Sequence, residues 1–232
     1  MRIHPDGWKF VGLFGAVTLL LFAIHTCLGW IGLVLTGWCA YFFRDPERMT
    51  PIRDGFVISP ADGRVVAIKS VVPPKEFDIG HEERIRVSIF LNVFNVHVNR
   101  LPLSGKIRKI IYHPGKFFNA SLDKASEHNE RNTVIIEHTA TSEDALPKRL
   151  AVVQIAGLIA RRIRCDVNEG DDVLSGDRYG LIRFGSRTDI YLPVGINPLV
   201  IEGQLTLAGE TIIADLSPPQ GMQEPSREGT YR

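Results

Sequence analysis

The stretch Tyr179-Gly-Leu-Ile-Arg-Phe-Gly-Ser-Arg-Thr-Asp-Ile-Tyr-Leu-Pro193 sets two β-prone runs on either side of a Gly-Ser pair. Tyr, Ile, Thr and Leu favour extended backbone, and the glycine between the runs lets the chain reverse. The pattern predicts strand, sharp turn and strand, with Ser186 held at the bend. By itself a Gly-Ser turn in a sheet protein is an ordinary turn. It also lacks the G-x-S-x-G spacing of a hydrolase elbow, because Arg187 is followed by Thr188 and Asp189.

Working outward, similar short runs rich in Val and Ile recur, broken by Gly, Pro, Asn and Asp. Strands are predicted over Arg64–Val72, Arg84–Leu91, Lys106–Tyr112, Thr133–His138, Arg149–Ala156, Tyr179–Arg183 and Asp189–Leu192. Asn119–Arg131 alone reads as a soluble helix or a long loop. The fold class is therefore mainly β, a single sandwich or barrel-like domain over residues 46–216. Val167, Glu169, Gly170, Leu174 and Gly176 recur 33 residues later as Val200, Glu202, Gly203, Leu207 and Gly209. Glycines six apart in a β-prone context predict two related tight turns. Residues 217–232, rich in Pro, Gly, Gln and Ser, read as a loose tail.

Before this domain, Phe10 to Phe43 contains no Asp, Glu, Lys or Arg. A single crossing of a bilayer takes about 20 residues, so this run is long for one span and short for two. Gly29, Trp30 and Gly32 near its middle predict the turn of a helical hairpin within residues 1–45, with one tilted span as the alternative. The aromatic end at Trp38, Tyr41, Phe42 and Phe43, followed by Arg44, Arg48 and Arg53, suits the cytoplasmic face of a cell membrane. A cleaved signal peptide fits poorly, because the apolar run continues with no small-residue cleavage site. The chain has 27 basic and 26 acidic residues, which gives no electrostatic push toward nucleic acid. Cys27, Cys39 and Cys165 have neither disulfide nor zinc spacing, and no metal is expected.

Four further segments accompany the Gly-Ser pair: Ser59-Pro-Ala-Asp-Gly63, Asn95-Val-His-Val-Asn-Arg100, Tyr112-His-Pro-Gly115 and Asn129-Glu-Arg131. Together and in this order they resemble the phosphatidylserine decarboxylase family, in its compact prokaryotic branch, from about Arg44 to Leu216. The long branch of that family carries Leu-Gly-Ser-Thr at its cleavage turn. Here Phe184-Gly185-Ser186-Arg187 keeps the Gly-Ser pair and changes its neighbours.

The resemblance implies a precursor that cuts itself between Gly185 and Ser186 into two chains and converts Ser186 to a covalent pyruvoyl cofactor. The Ser186 hydroxyl would attack the Gly185 carbonyl, a step that needs a base and a donor for the oxyanion. The new ketone would then act as electron sink for decarboxylation of phosphatidylserine to phosphatidylethanolamine. Membrane lipid is the implied partner and a homo-oligomer the expected assembly. Asp62 matches the family's Pro-Ala-Asp-Gly aspartate, which acts with a histidine in self-cleavage. His97 shares a predicted strand face with Asn95 and Asn99, and its ordinary pKa near 6.5 suits proton transfer. The long branch has two histidines three apart, whereas this chain has His97 and then Arg100. Either His97 serves both cleavage and protonation, or His113 takes one role. Arg183, Arg187 and Lys116 are candidates for the lipid phosphate. Asn129, Glu130 and Arg131 are candidates to shape the site. Asp123-Lys124-Ala125 resembles a lipoyl-lysine tripeptide but lacks flanking turn residues. Two alternatives remain open: a membrane-anchored noncatalytic carrier or binding module, and a membrane-anchored serine peptidase.

Overall fold

The computed structural model describes residues 2–115, 129–138, 148–157, 162–183 and 185–216. Two helices, α1 (Pro5–Ile24) and α2 (Thr26–Phe42), precede a chain of strands. In order these are β1 (Phe56–Ile58), β2 (Gly63–Val71), β3 (Arg84–Leu91), β4 (Val98–Arg100), β5 (Gly105–His113), β6 (Arg131–His138) and β7 (Lys148–Ala156). They continue as β8 (Ile163–Cys165), β9 (Asp172–Val173), β10 (Arg178–Ile182), β11 (Ser186–Tyr191), β12 (Leu205–Thr206) and β13 (Ile212–Asp215). All seven predicted strands are present, and the mainly β class with an apolar helical amino terminus holds. The strands that the periodicity did not reveal are short, two to four residues each. Of the helix or loop expected at Asn119–Arg131, residues 119–128, with the Asp123-Lys124-Ala125 tripeptide, lie outside the described residues, and Arg131 opens β6.

An eight-stranded antiparallel sheet runs β12-β2-β3-β11-β7-β6-β5-β9 and curls as a half-barrel. The small sheets β4-β10-β8 and β1-β13 complete the enclosure. The main core fills the concave side with Val87, Ile89, Leu91, Val134, Val152 and Ile190 from the large sheet, against Val57, Tyr179 and Ile213 from the small ones. On the opposite face of the same strands, Ile155, Val153 and Tyr191 pack beneath Phe77 and Ile79. Both faces of β11 are thus covered, which accounts for its continuous burial.

The repeat closes the two ends of the large sheet in the same way. Gly170 and Gly203 take φ of +92° and +87°, and Gly176 and Gly209 take +90° and +78°. Gly170 N donates to Ile107 O and Gly203 N to Val65 O, each at 2.8 Å. Beside each contact the neighbouring strand bulges, between Ile107 and Lys109 in β5 and between Val65 and Ala67 in β2. The carboxylate of Glu169 then accepts from Ile110 N at 2.8 Å, and that of Glu202 from Ile68 N at 2.7 Å. The repeated glutamates thus satisfy amides close to each bulge.

The turn between the helices falls at His25, not at Gly29–Gly32. His25 is extended (φ −162°, ψ 133°), and its Nδ1 accepts from Cys27 N at 3.2 Å, capping α2. The glycines lie instead on the inner face of an antiparallel pair. A Cβ on Gly29 would fall 2.1 Å from the Phe22 ring, and one on Gly32 would fall 2.8 Å from Thr18 Oγ1. Removing side chains there brings the helices close enough for Thr18 Oγ1 and Thr36 Oγ1 to hydrogen-bond at 2.9 Å. The open ends are tied where His4 N donates to Phe43 O and Asp45 N to Arg2 O, each at 2.8 Å. α1 has 20 residues and is apolar enough to cross a membrane.

Candidate active site

β10 and β11 meet at the Gly-Ser pair. Gly185 has φ +69°, a left-handed conformation that a side chain would strain. Ser186 is not the apex of the bend but the first residue of β11, three residues earlier than predicted. It pairs with Leu91 of β3 on one side and Ala156 of β7 on the other. Its side chain is fully buried, and Oγ has no hydrogen-bond partner among the described residues. A buried hydroxyl left unpaired is costly, and Thr188 Oγ1, on the same face of β11, is in the same position.

Ser186, Thr188 and Ile190 point into the half-barrel, and the polar residues there form a chain. Asn132 Nδ2 donates to Gln154 Oε1 at 3.1 Å, and Gln154 Nε2 to Asn99 Oδ1 at 2.9 Å. Gln154 lies opposite Thr188. A glutamine inside the apolar run Leu150–Ala156 is the sequence signal for this chain.

His97 closes over the turn. It precedes β4 and is fully buried, and its Nδ1 lies 3.0 Å from Asn95 O. Gly185 N donates to its Nε2 at 3.3 Å. The ring is therefore the neutral tautomer with hydrogen on Nδ1, and the Nε2 lone pair faces Gly185. Burial drives its pKa down to about 4, with the Arg44 charge adding to the fall and the Asn95 carbonyl opposing it. The Phe42 ring, from the last turn of α2, stacks on the imidazole with centroids 4.2 Å apart. Asn95 does not share the strand face expected of it. It sits in a turn, where its Oδ1 accepts from Asn92 N at 2.9 Å.

Asp62 stands at the start of β2, where Gly63 allows close approach to β3: a Cβ there would lie 2.3 Å from Phe90 O. Its carboxylate accepts from Arg48 at 2.7 and 3.0 Å and from Ala208 N at 2.8 Å. Burial raises its pKa, and the Ala208 amide and the Arg48 and Arg44 charges only partly offset that. Asp62 makes no hydrogen bond to His97. The two segments are joined one step away, where Arg100 N donates to Pro60 O at 2.9 Å. The segment that carries Arg48 is stitched to the β domain. Asp45 is buried and accepts from Arg178 at 2.7 Å, and Arg100 donates to Pro46 O at 2.9 Å.

Three expected site residues lie elsewhere. His113 aligns with Arg131, Ile155 and Arg187 across four strands, so it is on the opposite face from Ser186. Three strand spacings put it roughly 14 Å away. It pairs with Glu76 at 3.0 Å. Arg187 is buried on that same outer face in an ion pair with Asp189, which leaves no free guanidinium for a lipid phosphate. Arg183 meets Asp6 at 3.1 Å and lies over the Phe10 ring, at the seam with the hairpin. Lys116 lies outside the described residues. Asn129 has a bracing role: its Nδ2 donates to Ala156 O at 2.7 Å, behind the residue paired with Ser186. Gly115 packs against Asn129, where a Cβ would come within 2.3 Å of its carbonyl carbon, so the Tyr-His-Pro-Gly segment serves that brace. Glu130 accepts from Tyr112 Oη at 3.0 Å, and Arg131 lies 3.8 Å from Glu76.

A buried serine after a left-handed glycine, with a neutral histidine on that glycine's amide, brings Gly185, Ser186 and His97 together in one site. The phosphatidylserine decarboxylase family profile matches residues 35–214, and the chain belongs to that family. Three relatives, each named phosphatidylserine decarboxylase proenzyme, are similar over nearly the whole chain. The protein from Ruegeria pomeroyi is 56% identical, covering 92% of this chain and 95% of its own. That from Cereibacter sphaeroides is 56% identical over 93% and 90%, and that from Nitrobacter winogradskyi is 55% identical over 94% and 86%.

Proposed function

We propose that the chain is the precursor of a pyruvoyl-dependent enzyme that decarboxylates phosphatidylserine to phosphatidylethanolamine, formed by self-cleavage between Gly185 and Ser186. The observation that carries this reading is the orphaned Ser186 hydroxyl beside a glycine whose amide is held by His97. Membership of the family supports the substrate.

Ser186 Oγ attacks the Gly185 carbonyl carbon, the Gly185–Ser186 peptide bond breaks, and the acyl group passes to oxygen. His97 takes the hydroxyl proton and gives it to the departing Ser186 nitrogen; as a neutral base it is competent to do so. Asp62 is assigned to the same step, since a carboxyl raised by burial exchanges protons more readily near neutral pH. Removal of the Ser186 α-proton expels the Gly185 carboxylate. The dehydroalanine left behind takes up water and loses ammonia. The burial and lack of a partner at Ser186 fit a pyruvoyl group at that position. Such a group supplies an electrophilic ketone and an electron sink for loss of carbon dioxide. His97 then delivers the proton that replaces the lost carboxylate. The hairpin lies in the membrane, with the β domain on the cytoplasmic side.

Intact-mass measurement of the purified protein tests this. Two unequal pieces are expected, the smaller beginning at a blocked residue 186, with activity lost to borohydride and indifferent to serine-directed phosphonates. Ser186→Ala is expected to stay whole and inactive. Decarboxylation by a chain whose 185–186 peptide remains closed overturns the reading, and a chain that is cut normally as Ser186→Ala does so too.

A further inference from the structure

We infer that the helical hairpin is a working wall of the self-cleavage site, with Phe42 as the positioning residue that holds His97 against the Gly185 amide. This rests on the cleavage reading above.

A tether would be joined to the β domain by a loose linker and touch it little. Here both helices reach the residues that frame the cut. From α2, Phe42 is fully buried and lies on the His97 ring at an interplanar angle of 33°. It sits in one cluster with Cys39 and Phe43 of the hairpin and Val96, Val98 and Leu181 of the β domain. Val96 and Val98 flank His97 in the chain. From α1, Asp6 takes Arg183 at 3.1 Å and Arg164 at 2.8 Å, and Phe10 lies under the Arg183 guanidinium. Arg183 is two residues before Gly185. One helix therefore fixes the base, and the other fixes the strand that enters the turn.

Phe42 has a task that general apolar filling does not meet. The described hydrogen bonds of the His97 ring run from Nδ1 to Asn95 O and from the Gly185 amide to Nε2. Both engage ring nitrogens, whereas Phe42 covers a ring face with centroids 4.2 Å apart. Arg44, two residues after Phe42, is the charge that acts on the ring from this side. Its guanidinium is anchored at 2.7 Å to Phe94 O, in the turn leading to His97. Without the aromatic cover, water reaches the imidazole, the ring takes a proton more readily, and its contact with the Gly185 amide loosens.

The test uses full-length chain made by cell-free synthesis in the presence of phospholipid vesicles, with the cut fraction followed over time by mass spectrometry from pH 4.5 to 8. Phe42→Leu keeps apolar bulk, Phe42→Tyr keeps the ring, and Val34→Ala alters an exposed position of the same helix. Phe42→Leu is expected to cut about tenfold more slowly, with its acid limit moved to higher pH. Phe42→Tyr is expected to restore both, and Val34→Ala to match the unaltered chain. If the unaltered chain is never cut, the cleavage reading itself fails. If it is cut and Phe42→Leu is cut at the same rate with the same pH profile, only the present inference is overturned. Equal slowing by Val34→Ala, or failure of Phe42→Tyr to restore the rate, overturns it as well, since either marks a merely structural effect.

Discussion

Arg187 and Asp189, two residues apart on β11, close a two-pronged ion pair on the outer face of the sheet, Nε to Oδ1 at 2.7 Å and an Nη to Oδ2 at 2.6 Å. Both are almost wholly buried, and Arg86 lies 3.9 Å from the same Asp189 carboxylate. Removing one member of a buried pair costs up to about 3–5 kcal/mol, lessened here by the Arg86 charge, whereas replacing both with apolar groups is often neutral. Arg187→Ala should lower the denaturation midpoint accordingly, and Arg187→Met with Asp189→Leu should recover most of it. Substrate KM in the double variant should match the unaltered enzyme. A raised KM would instead return Arg187 to the lipid phosphate.

Gly185 makes a separable prediction, because among the described residues, its chain neighbours aside, nothing lies within 4 Å of where its Cβ would stand. Gly185→Ala therefore meets no clash, and its whole cost is the left-handed backbone, about 1–2 kcal/mol. The variant should fold with that loss in thermal unfolding and cut itself more slowly as the turn relaxes toward ordinary φ. Cutting at the normal rate would show that the turn's handedness is irrelevant to the chemistry.

The reach of the sequence follows from range. Arg84–Leu91 was predicted to the residue because Val, Ile and Leu repeat locally, and the Val167 and Val200 repeats foretold turns that share hydrogen bonds and bulges. Gly185 was expected at a turn because a glycine between two β-prone runs is a local signal. The position of Ser186 in a central strand is set by β3 and β7, which lie far away in sequence. The same holds for His113: its segment belongs with the others in the chain, but sheet register puts it on the wrong face. Gly29 and Gly32 misled because a glycine in an apolar helix serves close packing as readily as turning, and only the partner helix tells which. Arg48 on Asp62 and Phe42 on His97 are contacts between segments with no local pattern, so nothing in the sequence marked them.

The hairpin yields a direct chemical test. With Thr18 Oγ1 and Thr36 Oγ1 at 2.9 Å, cysteines at both positions bring their sulfur atoms within bonding reach. In a background where the exposed Cys27 is replaced by serine, Thr18→Cys with Thr36→Cys should form an intramolecular crosslink under mild oxidation, seen as a mass loss of about two hydrogen atoms, their electrons taken by the added oxidant. Gly32→Leu should abolish it, because a side chain there meets Thr18 and parts the helices. One continuous tilted helix would hold the two cysteines far apart and never crosslink.

The buried His97 links stability to acidity, and the sign follows from its pKa of about 4 in the folded chain against an ordinary 6.5. The folded state keeps the ring neutral while the unfolded chain protonates it, so the unfolded state binds more protons between these values. Stability is therefore undiminished above pH 6.5, falls as pH drops through that window, and levels out below about 4. At roughly 1.4 kcal/mol per unit, the total loss is about 3 kcal/mol. In the uncut Ser186→Ala background, denaturation midpoints between pH 7 and 4.5 should show this decline, and His97→Gln should remove the larger part of it, leaving the share of His4, whose pKa burial also lowers. A slope unchanged by His97→Gln would place the acid sensitivity on other groups and remove the ground for reading His97 as a neutral base at working pH.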